Sequence, residues 1–187
     1  RRGSRRGRVN PEPAPEARGL PVQVESRTLL EGRVFDVVAS QLTLPSGIRQ
    51  ELWTVEHPGA VAIAAVQANG ELVLVRQYRH AAKECLIELP AGRLNRGEDP
   101  LAAARRELAE ETGLTALHWR ALTTFYPAPG FASERMHVFE ARGLVRGERS
   151  LDPDEDLEVL TMAPARVLES VRDGKTLLVA ALLLLRG

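Results

Sequence analysis

The chain has 187 residues, of which 25 are basic and 25 acidic, so its formal net charge is zero. That length suits one domain with a good core and a small appended element, and the balanced charge gives no electrostatic reason to expect nucleic acid or an acidic membrane as partner. Cys85 is the only cysteine, which excludes an internal disulfide and makes a reducing cytoplasm the expected location.

Residues 1–19 (RRGSRRGRVNPEPAPEARG) contain six arginines and almost nothing able to enter a core. They read as a solvated, disordered tail reaching to about residue 25. The start runs into proline and glutamate, not an apolar stretch, so no secretion signal is expected. From Ser26 the pattern becomes strand-like. Arg33–Leu44 and Gln50–Glu56 flank the turn residues Pro45-Ser46-Gly47 and predict a hairpin. This sets residues 26–57 apart as an N-terminal β element.

Residues 58–187 form the expected main domain. Ala60–Val66 and Leu72–Gln77 flank Asn69-Gly70, a strong signal for a second hairpin. Cys85–Glu88 reads as a short apolar strand with Cys85 as a core thiol. A helix follows Pro100, and further strands are predicted over His118–Phe125, Met136–Ala141 and Leu157–Met162. Pro164 opens another helix, with Gly174 expected as its C-cap. Thr176–Arg186 reads as a last helix buried against the sheet, and its apolar run Leu177–Leu185 is far too short to span a bilayer. Strands interrupted by helices predict a mixed α/β sandwich.

The helix after Pro100 poses an electrostatic problem. In GRLNRGEDPLAAARRELAEETGL, Glu107, Glu110 and Glu111 lie three and four residues apart and therefore share a face, where like charges repel. They also crowd the negative end of the helix dipole. The helix ends are otherwise orderly. Glu98 or Asp99 is placed to cap it, Pro100 suits the first turn, and Gly113 suits the left-handed exit position. Leu101, Ala104 and Leu108 form the core stripe. Two resolutions are open: a solvated acidic face with Arg105 and Arg106 as partners, or a site for a hard divalent cation that takes oxygen ligands.

The surrounding spacing bears on that choice. Gly92, five residues, Glu98, seven residues, then Arg106-Glu107-Leu108-Ala109-Glu110-Glu111-Thr112-Gly113-Leu114 matches the Nudix box, and the chain resembles the Nudix hydrolases, which cleave nucleoside diphosphates linked to another moiety. The resemblance implies a Nudix α/β/α sandwich with a mixed sheet, carrying the N-terminal β-hairpin as an addition. It implies Glu107 and Glu111 as principal ligands of Mg²⁺, with Mn²⁺ as an alternative, Glu110 assisting, and the Ala91 carbonyl completing the metal shell. Glu98 and Arg106 are implied to organise the loop–helix–loop, with Gly92 permitting a close turn and Gly113 the exit. His57, His80, His118 and His137 lack metal-ligand spacing.

Three further stretches resemble the ADP-ribose pyrophosphatase subfamily. Phe125–Glu134 (FYPAPGFASE) looks like its proline-containing loop, implying that Gly130 and Glu134 meet substrate or a metal-bound water. Arg79, in Val75-Arg76-Gln77-Tyr78-Arg79, stands where relatives place an arginine near the diphosphate, which a guanidinium matches in two-point contact. The acidic loop Leu151–Asp156 corresponds to a catalytic loop, with Glu155 as the candidate base. The hairpin resembles the element by which such enzymes form homodimers, and Arg49 and Trp53 on it are candidate substrate contacts. The expected substrate is ADP-ribose or a related nucleoside diphosphate sugar. Another such sugar, GDP-mannose for example, and a catalytically silent nucleotide sensor stay open as alternatives.

Overall fold

The computed structural model describes residues 19–150 and 156–186. In chain order the elements are β1 (Val22–Leu30), β2 (Asp36–Thr43), β3 (Arg49–Glu56), β4 (Ala60–Ala65), β5 (Leu72–Arg79), β6 (Glu84–Glu88), β7 (Ala91–Arg93), α1 (Pro100–Thr112), β8 (Leu114–Phe125), β9 (Met136–Arg146), β10 (Leu157–Met162), α2 (Pro164–Ser170) and α3 (Gly174–Arg186). They build three sheets, ordered β1-β2-β3, β10-β5-β6 and β7-β4-β9-β8. In the last, β4 and β9 run parallel while the other pairs are antiparallel, so the sheet is mixed.

The centre follows from alternation along β4, whose sequence AVAIAA is buried throughout. Successive strand side chains point to opposite faces. Ala60, Ala62 and Ala64 therefore enter one core with Val167, Val179 and Ala180 of α2 and α3. Val61, Ile63 and Ala65 enter the other with Ala103, Ala104 and Leu108 of α1. Helices cover both faces, which is the α/β/α arrangement expected. Small residues on β4 let the helices approach, while Ile63, Leu72, Leu74 and Leu108, all fully buried, supply about 1.5–3 kcal/mol each in transfer terms.

Several local expectations are corrected. Ordered strand begins at Val22, inside the stretch read as tail: VQVESRTLL pairs antiparallel with β2 although nearly all of it is exposed, so main-chain bonding and not burial places it. The Asn69-Gly70 turn forms, with Gly70 at φ 86° and its N–H donating to the Gln67 carbonyl. The flanking strands, however, share only the Val66–Leu72 bridge before entering different sheets, because β4 already has β7 and β9 as neighbours. Cys85 is exposed, not core. Its strand has Leu86 and Ile87 half-buried and Glu88 as the most buried member. Gly174 does not cap α2, which ends at Ser170. Asp173 instead accepts from the Thr176 N–H (3.0 Å) and hydroxyl (2.6 Å), so this short cap starts α3 at Gly174. Among the described residues no helix is long and apolar enough to cross a membrane.

Candidate active site

Helix α1 presents the candidate carboxylates, and its ends are set by local chemistry. Asp99 is the N-cap, accepting from the N–H groups of Leu101 and Ala102 at 3.0 Å, a contact worth about 1 kcal/mol. Glu98, the other capping candidate, is drawn off by Arg106 and by the Asn95 N–H (2.8 Å). Gly113 closes the helix in the left-handed conformation at φ 68°, its N–H donating to the Ala109 carbonyl. Ala103, Ala104 and Leu108 pack inward, while Leu101 is only half-buried.

Two of the three glutamates are buried. Glu107 is 8% exposed and Glu111 3%, whereas Glu110 stands half-exposed. Buried carboxylates need partners or the fold would protonate them. Arg106 supplies one set. Its Nε and Nη2 grip both oxygens of Glu98 at 3.0 Å, and its Nη1 donates to Glu107 (2.7 Å) and Glu110 (2.9 Å). The hydrogen bond to Glu98 is the largest cause raising the Arg106 pKa above its ordinary value, and that bond in turn holds Glu98 low. Arg105, the other expected partner, lies over the Trp119 ring instead, 6.0 Å from its centroid.

Strand β7 receives the two buried carboxylates. The Ala91 N–H donates to Glu111 Oε2 at 3.1 Å. The Glu107 carboxyl lies so close to Gly92 that a Cβ there would sit 2.0 Å from its carbon. Gly92 has no positive φ, so close approach, not the turn conformation expected from the sequence, is what demands glycine. Arg149 completes the helix end, donating from Nε to the Glu111 carbonyl (2.6 Å) and from Nη2 to the Leu157 carbonyl (2.7 Å). It places positive charge against the negative end of the α1 dipole. Sequence reading missed it because 38 residues separate it from Glu111.

Ala91 and Gly92 form part of the wall of a cleft of about 650 Å³. Glu134, Pro127 and Tyr126 of the proline-containing loop line it too, whereas Glu107, Glu110 and Glu111 do not; Glu111 and Glu107 adjoin the cleft through their contacts with Ala91 and Gly92. That loop is anchored on β3 through Val55 N–H to the Phe131 carbonyl (2.8 Å) and Ser133 N–H to the Val55 carbonyl (2.9 Å). Arg79 also lines the cleft, with its guanidinium bonded side-on to Glu88 at 2.6 and 3.0 Å. Glu88, Asp173 and Lys175, unassigned from the sequence, belong to the same cleft. Burial pushes the Glu88 carboxyl up, but the Arg79 hydrogen bonds and the Lys175 charge together hold it below the ordinary value. Arg49, Trp53 and Gly130 do not line this cleft: Arg49 borders a small groove with Val24 and Thr43, and Trp53 is exposed, donating to Glu51. Glu155 lies outside the described residues.

The sequence pattern of the NUDIX domain matches residues 56–181, spanning the cleft and all of α1. The chain belongs to the Nudix hydrolase family. It is 41% identical over 160 residues to an ADP-ribose pyrophosphatase of Bacillus subtilis, a match covering 82% of this chain and 86% of that one. It is 40% identical over 150 residues to an ADP-ribose pyrophosphatase of Mycobacterium tuberculosis, covering 80% and 72% respectively. In three dimensions it resembles the crystal structure of an ADP compounds hydrolase, with a TM-score of 0.79 at 23% identity over 90% of this chain and 95% of the other. That structural likeness establishes the Nudix fold. Nudix hydrolases as a family employ divalent metal ions. The donor chemistry here fits one: buried carboxylate oxygens, pressed to a glycine that leaves room for them. Among the described residues, no three acidic, histidine or cysteine side chains are gathered as a cation cage. Mg²⁺ characteristically needs few protein ligands and fills the rest with water and substrate phosphate.

Proposed function

We propose that this Nudix hydrolase splits ADP-ribose into AMP and ribose 5-phosphate in the presence of Mg²⁺. The observation that carries the reading is the pair of buried glutamates packed behind Ala91 and Gly92, two residues that line a cleft together with Glu134 and Arg79. Likeness to two ADP-ribose pyrophosphatases over most of the chain supports the choice of substrate. Bound Mg²⁺ supplies neutralisation of diphosphate charge and a lowered pKa for attacking water.

Glu107 and Glu111 are the proposed principal ligands, with the Ala91 carbonyl as a third donor and Glu110 assisting at the more exposed edge. Mn²⁺ presents the same hard, oxygen-seeking chemistry to these donors. Arg106 positions Glu107 and Glu110 by hydrogen bonding. Arg79 offers its remaining guanidinium donors to the diphosphate. Glu134 contacts the substrate or the water. Glu155 is the candidate to take the water's proton as the new P–O bond forms and the bridging P–O bond breaks. The test is chromatographic: purified protein with Mg²⁺ and a panel of ADP-ribose, GDP-mannose, UDP-glucose and NADH. ADP-ribose is expected to be converted preferentially to AMP and ribose 5-phosphate, and preference for another member would discard the substrate assignment.

The sheet β1-β2-β3 is the proposed homodimer surface. Val22, Val24, Leu30, Leu52 and Trp53 are exposed on it, distributed over both of its faces, and large apolar side chains so exposed on one small sheet support an interaction surface. Arg49 and Trp53, which do not line the cleft of their own chain, are proposed to act from this element on the partner's substrate. Sedimentation velocity is expected to show a dimer. A concentration-independent monomer would remove both the interface and these two contacts.

A further inference from the structure

The first turn of α3 takes part in the cleft. Glu88 ends β6 with 2% exposure, and a carboxylate so buried destabilises the fold unless it is paired. Among the described residues two cations hold it: Arg79 through two bonds, at 2.6 and 3.0 Å, and Lys175 on Oε2. Lys175 also reaches Asp173 at 3.1 Å. Asp173 is fixed by the Thr176 hydroxyl, which accepts in turn from the Leu89 N–H at 2.9 Å. The turn Asp173–Thr176 is thereby locked to the end of β6.

The two cations and two carboxylates sum to zero, so the cluster is no simple anion trap. Its bonds instead orient groups. Arg79 commits Nε and Nη2 to Glu88, and its Nη1 has no hydrogen-bond partner among the described residues. The two-point bond fixes the carboxylate plane against the guanidinium, but the joined pair still rides on two side chains with several rotatable bonds. The second cation, delivered from α3, removes that freedom.

We propose that Lys175 is a positioning residue that, by clamping Glu88, fixes the Arg79 edge receiving the diphosphate of the substrate. The inference deepens the proposed function and rests on it for the diphosphate ligand. The experiment is a double-mutant cycle of Lys175→Met and Arg79→Met, with Lys175→Arg alongside. ADP binding is measured by calorimetry in EDTA, and kcat and KM for ADP-ribose with Mg²⁺. Lys175→Met is expected to weaken ADP about tenfold, within what one charge-assisted hydrogen bond is worth. KM should rise by a similar factor with a smaller change in kcat, and Lys175→Arg should restore most of the affinity. In the Arg79→Met background, Lys175→Met should have no further effect. Equal losses in both backgrounds, or unchanged ADP affinity, would overturn the inference, as would wild-type protein that does not bind ADP. Wild type that binds ADP but leaves ADP-ribose intact would refute the substrate assignment alone, and the cycle would still decide the role of Lys175.

Discussion

Replacing Glu111 by glutamine is expected to lower ADP-ribose turnover by at least about a thousandfold, equivalent to about 4 kcal/mol of transition-state stabilisation. The fold should not suffer. Glutamine keeps the volume and keeps an oxygen to accept the Ala91 N–H, now held at 3.1 Å. It also removes one of two buried like charges spaced four apart on α1. Without metal, the variant should therefore melt at the same temperature as wild type or higher, a gain in stability at the expense of function. Mg²⁺ should raise the melting temperature of wild type, because a ligand that binds only the folded state stabilises it by mass action. In the variant that increment should shrink or vanish. Thermal melts with and without Mg²⁺, together with steady-state kinetics, check both halves. Near-normal turnover at saturating Mg²⁺ would remove Glu111 from the metal site.

What the sequence made legible and what it hid divide by distance along the chain. Helix α1 was readable because its determinants are local: Asp99 lies one residue before its start, Gly113 directly after its end, and the glutamates recur at helical spacing. Strand β4 was readable in its unbroken apolar run, but its place between β7 and β9 was not, since the run reads as one arm of a hairpin with β5. The far wall of the cleft was not. Lys175 meets Glu88 across 87 residues and Thr176 meets Leu89 across the same span, and no periodicity encodes such a meeting. Arg149 was hidden in the same way, although it is the positive charge that the C-terminal end of α1 lacked locally. One signal was available for Glu88: an acid closing an otherwise apolar strand must find a cation, and Lys175 is one of only two lysines in the chain. Cys85 failed for a different reason, since an apolar run implies burial only when another layer covers the strand, and the start of β1 was read as tail because main-chain pairing of an exposed strand leaves no mark in composition.

Gly92→Ala is the second substitution expected to have a large effect, and it separates crowding from folding. The added Cβ would lie 2.0 Å from the carboxyl carbon and Oε1 of Glu107, and 2.4 Å from Oε2. Alanine is compatible with the backbone here, since Gly92 does not occupy the positive-φ region. The contact must therefore be relieved by movement, and the group able to move is the end of the Glu107 side chain. Overpacking of this kind destabilises by about 1–3 kcal/mol, so the protein should still fold. The carboxylate, however, is the proposed metal ligand, and Arg106 holds it from the other side at 2.7 Å. Displacing a catalytic group by about 1 Å is enough to lower the rate about a hundredfold. The variant should accordingly show a lower kcat and a higher Mg²⁺ requirement, with circular dichroism matching wild type. Restoring room from the other side tests the cause: adding Glu107→Asp, one methylene shorter, should relieve the melting-temperature loss of Gly92→Ala without returning its activity. If Gly92→Ala retains full activity at the same Mg²⁺ concentration, Glu107 does not work from the position it holds against β7, and the ligand set must be sought elsewhere on the helix.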